Sequence, residues 1–167
     1  MRTRKLILCA LLCAVALGIF VLEAQIPLPV PGMKLGLSNV VTLFALPALG
    51  SLPALALTVV RILLGNLVTG QVSALLYAFG GALLSLPCMA ITVRLCKPKQ
   101  LWLAGVLGGL AHNLGQMAVA VVVTETPALL VYLPLLLLFG LFSGAFTGIC
   151  AQLLVTRYQK FKEDFHR

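Results

Sequence analysis

Negative charge is nearly absent from this sequence: 167 residues contain four acidic side chains, and the only aspartate, Asp164, sits beside Glu163 in the C-terminal tail. Magnesium and calcium demand several oxygen ligands, so catalysis through a carboxylate-bound hard cation finds no donors along most of the chain. Histidine is as scarce, with His112 and His166 alone, and His112 has no second histidine within an apolar run for bis-His haem ligation. The five cysteines, Cys9, Cys13, Cys88, Cys96 and Cys150, form no CxxC pair, and four of them lie inside apolar runs. They read as small buried residues and not as zinc ligands or a disulfide framework. No GxxxxGK[ST] phosphate loop occurs, so any ATP-driven step belongs to other chains. Neither a cofactor nor a metal is expected.

Apolar residues, by contrast, fill the chain: 61% hydrophobic against 10% charged, with mean hydropathy +1.11. An ordinary globular domain has about 45–50% apolar and about 25% charged residues. The composition implies an all-α integral membrane protein, a single transmembrane domain over residues 1–167 built as a bundle of about six helices. The apolar runs place spans at about 6–22, 35–49, 51–64, 72–93, 101–123 and 128–155. The first follows a basic N-terminus and resembles the apolar region of a secretory signal, but it is long enough to span and is expected to be retained. Prolines in the loop between spans one and two block a helix there. Pro47, Gly50 and Pro53 divide the second long run, giving either two tilted helices or a re-entrant hairpin. Residues 65–71 read as a turn, and residues 157–167 as an amphipathic helix end that frays into water.

Net charge is +8, but ten of the twelve basic residues fall in three clusters flanking apolar runs: Arg2, Arg4 and Lys5; Arg94, Lys97 and Lys99; and Arg157, Lys160, Lys162 and Arg167. With an even number of spans, all three clusters lie on the cytoplasmic side under the positive-inside rule. Both termini are then cytoplasmic, in a multi-pass protein of the plasma membrane, and the basic residues serve topology and contact with the lipid bilayer. There is no sign of a nucleic-acid partner.

Lys34 and Arg61 stand outside those clusters, and an ionisable residue within a span is a functional candidate by default. At about 1.5 Å per residue, Arg61 lies roughly 15 Å into its span, near mid-membrane. His112, Asn113 and Gln116 share a helix face at about the same depth. Glu23, Lys34, Asn39, Arg61, His112, Asn113 and Gln116 are therefore expected to line a hydrated, outward-facing cavity for a small ligand with an anionic or strongly polar part, lidded by the proline loop. The bland alternative has these groups bonding neighbouring helices, with Arg61 paired to Glu23 and Lys34 anchored at the headgroups. Gly140, Gly144 and Gly148 recur at four-residue intervals and, with Gly80, Gly81, Gly105, Gly108 and Gly109, point to close helix packing. Ala10 and Ala14 make a small-residue face on span one where a membrane partner could bind.

The segments Glu23-Ala-Gln-Ile-Pro27, Pro31-Gly-Met-Lys-Leu-Gly-Leu-Ser-Asn39, Arg61 and His112-Asn-Leu-Gly-Gln116 resemble those of the Gx transporter family, also labelled heptaprenyl diphosphate synthase component I. That family is similar to the S components of energy-coupling factor (ECF) transporters, six-helix proteins that capture micronutrients and pair with an energising module. The resemblance implies a substrate-binding role for the outer polar residues. It also implies docking of the Ala10/Ala14 face on a transmembrane coupling subunit served by ATPases. Polyprenyl synthases bind magnesium diphosphate through Asp-rich motifs, which this chain lacks, so an enzyme is not expected. The leading expectation is capture of a small-molecule substrate for import. The alternatives are a non-catalytic membrane subunit in isoprenoid or quinone metabolism, or in flavin- or quinone-linked electron transfer with a membrane redox partner, and a purely structural anchor.

Overall fold

In hydrocarbon an open backbone amide has no water to bond, and helices satisfy these groups internally. The computed structural model describes residues 2–26, 34–96 and 100–165, and among these residues it is helical with no strand. Six α-helices follow in order: α1 (Arg2–Glu23), α2 (Asn39–Leu49), α3 (Ser51–Val68), α4 (Ala74–Leu95), α5 (Leu101–Thr124) and α6 (Leu133–Phe165). A short 3-10 helix, Pro127–Tyr132, leads into α6. Five helices are long and apolar enough to cross a membrane. The exception is α2, whose 11 residues rise only about 16 Å against a hydrocarbon core of about 30 Å.

Gly50 breaks the second long run, as its neighbours suggest. Its φ of 102° lies in the left-handed half of backbone space, where glycine carries no Cβ penalty. Its amide caps α2 by donating to Ala45 O and Leu46 O, both at 3.1 Å. Elsewhere three boundaries differ from those expected. Residues 35–38 are not helical: Gly36 has φ +82°, and the amides of Gly36 and Ser38 bond the Glu23 side chain. α3 runs on through Gly65 and Asn66 to Val68, because Asn66 returns its Nδ2 to Ile62 O at 2.8 Å and Gly65 sits against the Phe20 ring. The turn therefore comes at Gly70, with φ +68°. Finally, α6 continues through the polar tail as one helix of 33 residues.

The outside of the bundle is apolar and much of its interior is polar. Leu6, Leu22, Leu52, Leu83, Val122 and Phe142 are each more than 60% exposed, whereas Glu23, Lys34, Arg61 and Gln116 are each 5% or less. Lipid in place of water as solvent accounts for that inversion. The most extensive packing joins α4 to α5 and α5 to α6. A Cβ at Gly109 would lie 3.0 Å from Gly144 Cα, and one at Gly115 would lie 3.0 Å from Gly81 Cα. Only glycine lets backbones approach this closely.

Candidate functional site

Apolar packing along α5 is interrupted midway. Leu101 and Ala104 belong to a core shared with α2, α4 and α6, and Met117 and Ala120 belong to a second core with Leu136. Between them His112 and Gln116, one turn apart, face Gly81 of α4 and the non-helical segment 34–38. Unpaired polar groups at this depth would be costly, and most of these are paired.

Glu23 ends α1, where a negative charge is disfavoured by the helix dipole. Its carboxylate reaches instead to the chain entering α2, accepting from Gly36 N, from Ser38 N at 3.4 Å and from Ser38 Oγ at 3.5 Å. Backbone amides before a helix N-terminus form an anion site, and here the protein's own carboxylate fills it. Arg61 donates to Ser38 Oγ through Nη1 and to Asn39 Oδ1 through Nη2 at 3.1 Å. Glu23 and Arg61 are thus linked through the Ser38 hydroxyl and not by a direct ion pair.

Lys34 is held twice. Its backbone exchanges two hydrogen bonds with the Gln116 amide, Lys34 N to Oε1 at 3.0 Å and Nε2 to Lys34 O at 3.1 Å. Its ammonium lies 3.4 Å from the Phe20 ring centroid, a cation–π contact, and 3.5 Å from Asn66 Oδ1. Burial lowers the Lys34 pKa to about 8; the nearby Glu23 charge acts against the shift and Arg61 adds to it. Leu35 O accepts from Ser143 Oγ at 2.9 Å, so α6 also grips the segment. Gly36 is required at its position, since a Cβ there would lie 2.9 Å from Asn39 Nδ2 and 3.1 Å from His112 Cδ2.

The Gln116 amide fixes the tautomer of His112. Gln116 Nε2 is a donor and also approaches His112 Nε2, which must then accept. The ring hydrogen therefore sits on Nδ1, which faces the backbone of Gly81. Arg61 Nε and Asn39 Nδ2 lack an acceptor. The cluster as a whole has two cations against one carboxylate, and two N–H groups in it, Arg61 Nε and Asn39 Nδ2, have nothing to donate to.

The structure thus brings Glu23, Lys34, Asn39, Arg61, His112 and Gln116 together, and Asn113 stands apart. Asn113 Nδ2 turns to Leu136 O at 2.5 Å in the first turn of α6, so it bonds helix to helix. Ala10 and Ala14 are exposed on α1, toward the end remote from Glu23. Instead of an open vestibule, the cluster encloses about 10 Å³, room for roughly one water, because residues 34–38 fill the space. The proline-rich lid falls largely on residues 27–33, outside the described residues. Ser38, Ser143 and Phe20 are members that sequence reading misses. Ser38 stands inside the quoted Pro-Gly-x-Lys segment, but a serine or a phenylalanine in an apolar chain carries no signal of its own.

A bundle of membrane-spanning helices with a charged cluster sealed among them defines an integral membrane protein with a buried polar site. The chain belongs to the heptaprenyl diphosphate synthase component I family, whose model matches residues 12–154. That match takes in every residue of the cluster. No curated protein and no solved structure is significantly similar to the chain.

Proposed function

We propose that this chain is the membrane substrate-binding subunit of an uptake system, similar in kind to the S components of energy-coupling factor transporters. Its buried cluster receives the anionic or strongly polar part of a small molecule. The supporting observation is the imbalance of the cluster: Lys34 and Arg61 have Glu23 as their one carboxylate, and Arg61 Nε and Asn39 Nδ2 lack acceptors. A buried cation without its counter-charge is strongly unfavourable, and an arriving anion supplies both the charge and the missing acceptors. Segment 34–38 occupies the ligand's place in the closed form and moves aside on binding. Basic residues at both chain ends and at Arg94 orient the bundle with its termini in the cytoplasm and the cluster toward the outside. The exposed Ala10/Ala14 face then lies near the cytoplasmic surface, where a coupling subunit with its ATPases docks.

Thermal stabilisation of the purified protein by a panel of small carboxylates and phosphates tests this reading. At least one anion raises the melting midpoint of wild type and fails to raise that of Arg61→Ala or Lys34→Met. No shift with any anion, or the same shift in all three proteins, would sink it.

The family description favours a second reading, a non-catalytic membrane component of a prenyl diphosphate synthase. Two cations suit a diphosphate, while Asp164, the only aspartate, lies at the far end of α6. Stable co-purification with a soluble synthase subunit would favour this second reading over uptake.

A further inference from the structure

Next to the cluster is a larger space of a different character. Between α3 and α4, Leu55, Val59, Phe79, Leu83, Leu86 and Pro87 line a groove of about 290 Å³. It opens to the lipid side, where Leu55 is 45% and Leu83 75% exposed. Its one hydroxyl, on Thr58, is already engaged with Ala54 O at 2.8 Å and Thr42 Oγ1 at 3.0 Å. Residues 55–62 of α3 run along it, a length of about 10 Å.

Ile62 lines both spaces, the groove and the cationic cluster. It is buried and packs with Ala78 and Ala82, of which Ala78 borders the cluster and Ala82 the groove. The partition between the two is therefore one isoleucine side chain and two alanines. Arg61 precedes Ile62 in the chain and presents its guanidinium on the cluster side.

Resting on the proposed anion-binding role, we infer that the ligand is a single-chain amphiphile drawn laterally from the bilayer, its anionic head on Lys34 and Arg61 and its apolar tail in the α3/α4 groove. Charge complementarity selects the head, and the continuous wall through Ile62 sets head and tail in register. A compact water-soluble anion would use the cluster and leave the groove to bulk lipid.

The test uses the full chain in phosphatidylcholine nanodiscs and measures retention of radiolabelled decyl phosphate beside inorganic phosphate. Two variants obstruct the groove: Ala82→Phe from within and Leu83→Trp from its lipid rim, the latter without disturbing packed residues. Decyl phosphate binds wild type at least tenfold more tightly than inorganic phosphate, both variants lose that advantage, and Leu83→Trp still binds inorganic phosphate as wild type does. Excess decyltrimethylammonium does not compete. Equal affinity for the two phosphates, or a chain-length advantage untouched by Leu83→Trp, overturns the inference and leaves the anion site standing. Competition by decyltrimethylammonium overturns it as bulk partitioning. Binding of neither phosphate overturns both the amphiphile and the anion-binding reading.

Discussion

The Gln116 side chain pairs with the backbone of Lys34 as a neighbouring strand would, accepting from Lys34 N at 3.0 Å and donating to the Lys34 carbonyl at 3.1 Å. Segment 34–38 has no sheet or helix of its own, so α5 supplies the partner that secondary structure does not. Glutamine fits because one side chain carries both a donor and an acceptor at the spacing of a peptide group.

Gln116→Leu removes both partners at once and leaves a buried N–H and C=O unpaired. Each unsatisfied buried group costs about 1–3 kcal/mol. The variant melts well below wild type, and proteolysis begins in segment 34–38. An unchanged midpoint would mean that the segment is held by other contacts.

Glycines along α5 and α6 differ sharply from Gly18 in what surrounds them. A Cβ at Gly144 would meet Val106 Cα at 3.0 Å, which is backbone and cannot give way, whereas one at Gly18 would meet nothing within 4 Å. Gly144→Ala destabilises by about 1–3 kcal/mol through overpacking. Gly18→Ala is neutral or stabilises by up to about 1 kcal/mol through helix propensity. Paired unfolding titrations in mixed micelles check the contrast.

Most of the helices were legible in the sequence, because length and apolarity alone specify spans α1, α4 and α5 to within a few residues. The break at Gly50 was legible too, from glycine and proline chemistry. Segment 34–38 was not: Leu35, Gly36 and Leu37 continue an apolar pattern, and only Glu23, Arg61, Gln116 and Ser143 arriving from four other helices make a non-helical path affordable. Asn66 misled in the opposite direction, since a loop-favouring residue stays helical when its amide bonds Ile62 O and Lys34 Nζ. Six of the seven predicted polar residues meet in one cluster, because a charged or amide side chain in a lipid-facing chain must find others of its kind. Asn113 departed because neighbouring residues on a helix point about 100° apart, and its turn faces α6.

Lys34 gives the protein a pH dependence in alkali. Its pKa falls from 10.5 in the unfolded chain to about 8 in the fold, through burial first. Between those values the unfolded chain binds more protons, so stability rises as pH is raised through the window from about 8 to about 10.5. Anion affinity moves the other way, falling above about pH 8 as the ammonium is lost. Lys34→Arg keeps its charge and flattens both trends; stability and phosphate-binding titrations from pH 7 to about pH 10.5 would reveal the step or its absence.

Glu23→Gln separates folding from binding. Loss of the carboxylate weakens the bonds to Gly36 and Ser38 and lowers the melting midpoint, by about 1–3 kcal/mol of stability. It also removes the only negative charge of the cluster and loosens the hold on the amides before α2. Phosphate therefore binds Glu23→Gln more tightly than wild type, despite the lower stability. Weaker binding in step with weaker folding would show that Glu23 only supports the site.

Mass spectrometry of small molecules carried by the gently purified protein tests most directly whether the cluster holds a ligand. Wild type should retain an anionic molecule that the Arg61→Ala, His112→Ala double variant, isolated from the same membranes, lacks. A wild-type protein that carries nothing, or a molecule retained equally by both, would contradict a ligand site at Lys34 and Arg61.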